Sequence, residues 1–197
     1  MSDELKPAYT TDIAFTDSVK SVQQRLGSRG SMERLERSDS WPSILTDDMA
    51  RWVKQRESVF IVSASLSGQP YAQHRGGPPG FIHVSDNALL IPDYSGNRHY
   101  ITLGNFLENP QAFLFMWDYE AQTRVKFWGD VCVLDMESDH RQLRFEVKTW
   151  DINCKQHLPV LYAKETVSKA TRKLQARIES LETELTNLKL RTDRDQA

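Results

Sequence analysis

The chain has 197 residues, of which 26% are charged, with a formal net charge of −2 and a pI near 6.2. That balance gives no basic field, so nucleic acid is not an expected partner, and the length suits one core domain with appendages. Cys132 and Cys154 make no disulfide framework, and the N-terminal stretch lacks an apolar run of signal-peptide or membrane-span length; the expectation is a cytoplasmic protein without a membrane partner.

The first 16 residues are polar and unpatterned, which reads as a draped arm. Asp17 is placed to cap a helix carrying Val19, Val22 and Leu26 at helical spacing and stopping at Gly27. Ser28 to Arg37 adds a short helical turn through Met32 and Leu35. After the break at Ser40-Trp41-Pro42, Thr46-Asp47-Asp48 caps a helix through Met49, Trp52 and Val53. These pieces form a helical arm over residues 1–56.

A domain over residues 57–160 follows. Val59-Phe60-Ile61-Val62 is an unbroken, mostly β-branched run and reads as a buried strand. A turn at Ser67-Gly68-Gln69-Pro70 leads into a second strand from Tyr71. Arg75 then opens Gly76-Gly77-Pro78-Pro79-Gly80, which continues neither a helix nor a central strand. Phe81 to Val84 and Ala88 to Pro92 read as a hairpin about Ser85-Asp86-Asn87, and Asp93 to Asn97 is turn chemistry delivering Arg98 and His99.

Two basic clusters beside flexible backbone suit a phosphate-like anion, because a guanidinium grips phosphate with two donors and neutral amides or Ser95 can add more. Arg75, Ser95, Asn97 and Arg98 are the candidates. The plain reading is that these are exposed loop residues.

Ile101 to Asn109 reads as a helix ending before Pro110, Ala112 to Trp117 as a strand, and Arg124 to Val133 as a strand with a bulge or close approach at Gly129. Glu137 to Val147 reads as an amphipathic helix with Leu143 and Phe145 as its apolar contacts. The segment from Trp150 to Pro159 reads as a polar, ligand-facing loop. The fold class expected is mainly β with flanking helices, a small antiparallel barrel with helices outside it. A C-terminal helix fills 161–197, where Val167, Leu174, Ile178, Leu181, Leu185 and Leu188 alternate three- and four-residue steps. That stripe is either a coiled-coil seam of roughly three heptads or the face of a single packed helix.

His74 to Phe81, Pro92-Asp93-Tyr94-Ser95-Gly96-Asn97-Arg98, Gly104-Asn105 with Asn109-Pro110, Arg124-Val125-Lys126 before Trp128-Gly129, and Trp150-Asp151-Ile152-Asn153-Cys154 with Gln156-His157 recur in order. In these motifs the chain resembles the pyridoxamine 5′-phosphate oxidase-like FMN-binding split-barrel family. The nearest likeness is to the bacterial branch with a helical N-terminal arm and a Trp-Asp-x-Asn-Cys-x-Gln-His segment. The resemblance runs from about Asp17 to Pro159. It implies a homodimer of six-stranded split barrels holding FMN in two clefts at the subunit interface. By the same resemblance, Arg75 and Asn97-Arg98-His99 fall where the family binds phosphate, Asp93 and Tyr94 beside the isoalloxazine, and Arg124 and Lys126 on the strand facing the flavin. The family's second phosphate lysine is replaced here by the Pro-Pro-Gly turn, and His99 stands in place of another lysine. The pair that binds pyridoxal phosphate in true oxidases has no counterpart, so that substrate is not expected.

Trp150, Asn153, Gln156 and His157 are the substrate-side candidates, with Trp128 and Trp150 either walling a ring or filling core. Arg124 and Lys126 either hold the anionic reduced ring or form an exposed strand face. Cys154 and His157 form half a metal site at most, so no metal is expected, and Cys154 is either a reactive thiol or a buried inert one. No residue is assigned as catalytic. Two functions remain: an FMN-dependent oxidoreductase acting on a small planar molecule, and a flavin or other cofactor carrier or sensor without turnover.

Overall fold

The computed structural model describes residues 9–38, 41–153 and 156–195. They fall into two compact units, one within Met1–Asp118 and Gln122–His157, the other within Tyr119–Ala121 and Leu158–Ala197.

The first unit is built on seven antiparallel strands: β1 Ser58–Ala64, β2 Pro70–Gly76, β3 His83–Ser85, β4 Ala88–Pro92, β5 Gln111–Asp118, β6 Thr123–Leu134 and β7 Gln142–Ile152. Their order is β2-β1-β5-β6-β7-β4-β3. Four helices accompany them: α1 Asp17–Arg25, α2 Arg29–Arg37, α3 Asp47–Lys54 and α4 Ile101–Glu108, preceded by a 3-10 turn at Thr10–Ile13. The second unit is dominated by one 32-residue helix, α5 Lys164–Asp195.

Every core strand alternates. Val59 and Ile61, Leu114 and Met116, Val125 and Phe127, Leu143 and Phe145, and Leu89 and Ile91 are fully buried, and they share one face of the sheet because side chains two apart point the same way. At about 25 cal/mol per Å² of apolar surface, this packed face is the main source of stability. Two sequence expectations are corrected by that alternation. Val59 to Val62 is not buried throughout, since Phe60 and Val62 are half-buried on the opposite face. Glu137 to Val147 is not a helix: Leu143, Phe145 and Val147 sit two apart on the inward face of β7, while half-buried Arg144 and exposed Glu146 and Lys148 alternate with them.

The outward face of β1, β5 and β6 is also apolar. Phe60, Phe113, Phe115, Trp117 and Trp128 are half-buried there and touch in series, with ring centroids 4.9–6.3 Å apart. Trp41 stacks on Trp128 at 4.6 Å.

The resemblance implies six strands; seven form here, counting the three-residue β3. The hairpin of β3 and β4 forms as expected, with Val84 opposite Leu89. The register shifts between Trp128 and Gly129, the bulge anticipated there, and a Cβ on Gly129 would lie 2.1 Å from the Glu146 carbonyl oxygen. Thr46 caps α3 by accepting from the Met49 amide at 3.2 Å, whereas α1 is capped by Thr16, one residue ahead of Asp17.

Residues 41–45 strap the N-terminal helices to the sheet. Trp150 donates its indole N–H to the Ile44 carbonyl at 3.0 Å and its amide to Pro42 at 3.1 Å. The Thr149 hydroxyl reaches the Pro42 carbonyl at 3.1 Å. Asn87 donates to Ser43 and accepts from the Leu45 amide, each at 2.8 Å. Among the described residues, no helix is long and apolar enough to cross a membrane.

Candidate functional site

Asp93 directly follows β4 with only 5% of its surface exposed, and two guanidiniums share its carboxylate. Arg75, from β2, pairs with Oδ1. Arg141, just ahead of β7, donates its Nε–H to Oδ2 at 2.6 Å and its Nη1 to the Met136 carbonyl at 2.9 Å. The Asp93 amide closes the contact by donating to the Arg141 carbonyl at 2.9 Å. The hydrogen bond it donates to Asp93 holds the Arg141 guanidinium above its ordinary pKa.

One carboxylate between two guanidiniums leaves a net positive charge, and the Arg75 Nε–H is buried without a partner. Such an orphaned, charge-bearing donor is costly unless an acceptor completes it.

The loop after Asp93 curls over this cluster. Arg98 and Tyr100 take left-handed backbone angles, φ 59° and 54°, which non-glycine residues adopt at a cost. The Asn97 side chain accepts from the His99 amide at 3.2 Å and holds the curl. Tyr100 is the N-cap of α4, and its side chain makes no capping bond to the first amides of that helix. Thr102 in that first turn donates to Gln73 of β2 at 2.6 Å. Together these elements border a shallow cleft, open to solvent, lined by Tyr71, Gln73, Arg75, residues 93–103 and Arg141.

The structure therefore gathers Arg75, Asp93, Tyr94, Ser95, Asn97, Arg98 and His99 around one cleft, with residues 94 to 99 exposed at its rim. Arg124 and Lys126 lie elsewhere, on the outward face of β6 opposite Trp117 and Phe115. Lys126 faces Asp151 across the β6–β7 ladder. Burial pushes the Asp151 carboxyl up, against the opposing pull of Lys126 and a backbone hydrogen bond at Ile152. Beside them the Arg124 Nε and the Asn153 Oδ1 are both buried without partners, although the Asn153 amide donates to the Arg124 carbonyl at 3.0 Å.

Of the remaining substrate-side candidates, Trp150 is a core residue, 8% exposed. Gln156 and His157 are exposed past the end of β7, His157 with φ 61°. Cys154 lies outside the described residues. Cys132 is an exposed free thiol, and among the described residues no three His, Cys, Asp or Glu side chains gather as a metal site.

Arg141, Gln73, Tyr100 and Thr102 escaped the sequence reading. A period of two over Leu143, Phe145 and Val147 starts β7 just after Arg141 and so points to that residue beside Asp93.

A model of the pyridoxamine 5′-phosphate oxidase family matches residues 45–183. The chain belongs to that family. The match covers all seven strands, α3 and α4, and so the whole of the Arg75–Asp93–Arg141 cluster. Among solved structures, the chain is similar to HupZ of Group A Streptococcus at 12% identity and TM-score 0.42, over 59% of this chain and 99% of that one. It is similar to the heme storage protein HutZ of Vibrio cholerae at 12% identity and TM-score 0.38, over 53% and 89%. A FAD-binding protein of Mesorhizobium loti is similar at 12% identity and TM-score 0.39, over 56% and 97%. No curated protein matches the chain.

Proposed function

We propose that this member of the pyridoxamine 5′-phosphate oxidase family is an FMN-dependent oxidoreductase that binds the cofactor by its phosphate in the cleft at Arg75 and Arg141. The observation that carries this reading is the buried Asp93 carboxylate shared by two guanidiniums, with the Arg75 Nε–H left over. A phosphate fits the donor set: the spare Arg75 donor, exposed Arg98 and His99, the Ser95 hydroxyl and the amides of the α4 first turn surround one space. Asp93 fixes the direction of both arginines, so little side-chain ordering is left to occur on binding.

Bound FMN would supply hydride or electron transfer; this chain's residues bind and orient it. The outward aromatic row of Phe60, Phe113, Phe115 and Trp117 supports a homodimer, since a contiguous apolar face on a sheet fits a partner better than water. Arg124 and Lys126 lie on that same face, and the unpartnered Arg124 Nε offers a donor for the anionic reduced ring there. The substrate expected is small and planar, stacked on the ring at the interface.

A second reading, cofactor binding without turnover, is favoured by Asp93 itself. It is the buried carboxyl of the cleft, and each of its oxygens is already engaged by a guanidinium, so neither is turned to a substrate.

The purified protein, mixed in turn with FMN, FAD and heme and then desalted, tests both. A retained two-banded flavin spectrum that bleaches with a nicotinamide donor and returns with repeated turnover supports the oxidoreductase. A retained flavin that never turns over supports the carrier. A colourless protein, or one coloured only by heme, overturns the assignment of FMN.

A further inference from the structure

Helix α5 carries a stripe that nothing within its own helix covers. Val167, Leu174, Ile178, Leu181, Leu185 and Leu188 are 45–65% exposed, although each is a large apolar side chain. Their steps of four and three make a heptad with Thr171, Ile178 and Leu185 at a and Val167, Leu174, Leu181 and Leu188 at d. A 32-residue helix solvated all round gains little beyond its own backbone bonds, whereas burying such a seam stabilises it strongly.

The flanking charges select the occupant. Arg177 and Glu184 stand at g, Glu182 and Lys189 at e. In a parallel, in-register pair of identical helices, each g residue faces the e residue five positions on in the other copy. Arg177 then meets Glu182, and Glu184 meets Lys189, so every charged contact over these heptads joins opposite signs. Within the single helix, Arg177 and Glu184 approach only to 4.0 Å with both side chains more than half exposed, which leaves them available. Ile178 at a beside Leu181 at d, the middle heptad of the seam, also suits two strands.

We propose that α5 forms a parallel, in-register, two-stranded coiled coil with α5 of a second copy of this chain. This goes beyond the cofactor reading and depends on none of the cleft residues.

The test uses the full chain with Cys132→Ser and Cys154→Ser, into which Leu174→Cys, Leu188→Cys or Thr183→Cys is introduced singly. Leu174 and Leu188 are d positions, where identical residues meet in a parallel pair, and Thr183 is at f, on the far side. Under mild oxidation both d variants form disulfide-linked dimers, at a rate about tenfold or more above the f variant. Glu182→Lys with Lys189→Glu, added to Leu188→Cys, sets like charges against Arg177 and Glu184 and slows the crosslink; adding Arg177→Glu with Glu184→Lys restores it. Crosslinking at neither d position, at only one of them, or equally at Thr183→Cys overturns the proposal, as does a rate indifferent to the charge changes. Because FMN retention is read separately by absorbance, loss of this pairing and loss of the cofactor are distinguishable.

Discussion

Arg75 and Asp93 belong to opposite ends of the strand order, yet their side chains meet as a buried ion pair. β2 is one edge of the sheet and β4 lies next to the other, so contact between them requires the sheet to curl until its ends face each other. The pair is a clasp on the barrel as well as a wall of the cleft.

Removing the shared carboxylate should cost more than removing one arginine. Asp93→Ala leaves two largely buried guanidiniums unpaired and is expected to lower stability by about 3–5 kcal/mol. Arg75→Met leaves Asp93 its bond to Arg141 and is expected to cost about 1–2 kcal/mol. Urea unfolding midpoints of the two variants check the order, and equal losses would show that Arg141 does not share the load.

Arg98 is exposed at the cleft rim and takes no part in the clasp. Arg98→Ala is therefore expected to leave stability within about 0.5 kcal/mol of the parent. It is expected to weaken FMN about tenfold or more, the worth of a charge-assisted hydrogen bond. Quenching of flavin fluorescence on titration gives the affinity, and an unchanged value removes Arg98 from the site.

Gly129→Ala places a methyl 2.1 Å from the Glu146 carbonyl and 2.8 Å from the Phe145 ring. Backbone there cannot yield without pulling β6 from β7, so a loss of about 2–3 kcal/mol is expected. Thermal melting checks it; a variant as stable as the parent would mean that the bulge can relax.

Asp151 gives a dependence on pH. Burial raises its carboxyl in the folded state, so the folded protein takes up the proton more readily than the unfolded chain. The stabilisation from this proton is complete below the ordinary carboxylate value and is lost as pH rises through the raised one. Asp151→Asn, which carries no charge to desolvate, should gain melting temperature relative to the parent between acid and neutral pH. A difference that is flat across that interval would show that Lys126 fully compensates the burial.

The residues told most where local chemistry and tertiary packing agree. Thr46 announces α3, Asn109-Pro110 ends α4, and Asp86-Asn87 turns the β3–β4 hairpin, with Ser85 already paired as the last residue of β3, each by a rule that acts within a few residues. Leu143 and Phe145 alone fit a helical face over Glu137 to Val147 as well as a strand, and the shorter period, set by burial against β6 and β4, prevails. The cleft was legible at its exposed rim, from Ser95 to His99. Its buried half was not, because the Asp93–Arg141 pair joins residues 48 apart and arises only when the strands are in place.

The strap at residues 41–45 sets an order of events for a chain growing from its N-terminus. Ile44 and Pro42 wait for Trp150 and Thr149, partners 106 and 107 residues later, and Asn87 joins Val147 across 60. The helices made first are thus among the last to be seated, and the half-made chain leaves the Trp41 ring without its stacking partner until Trp128 of β6 has been synthesised.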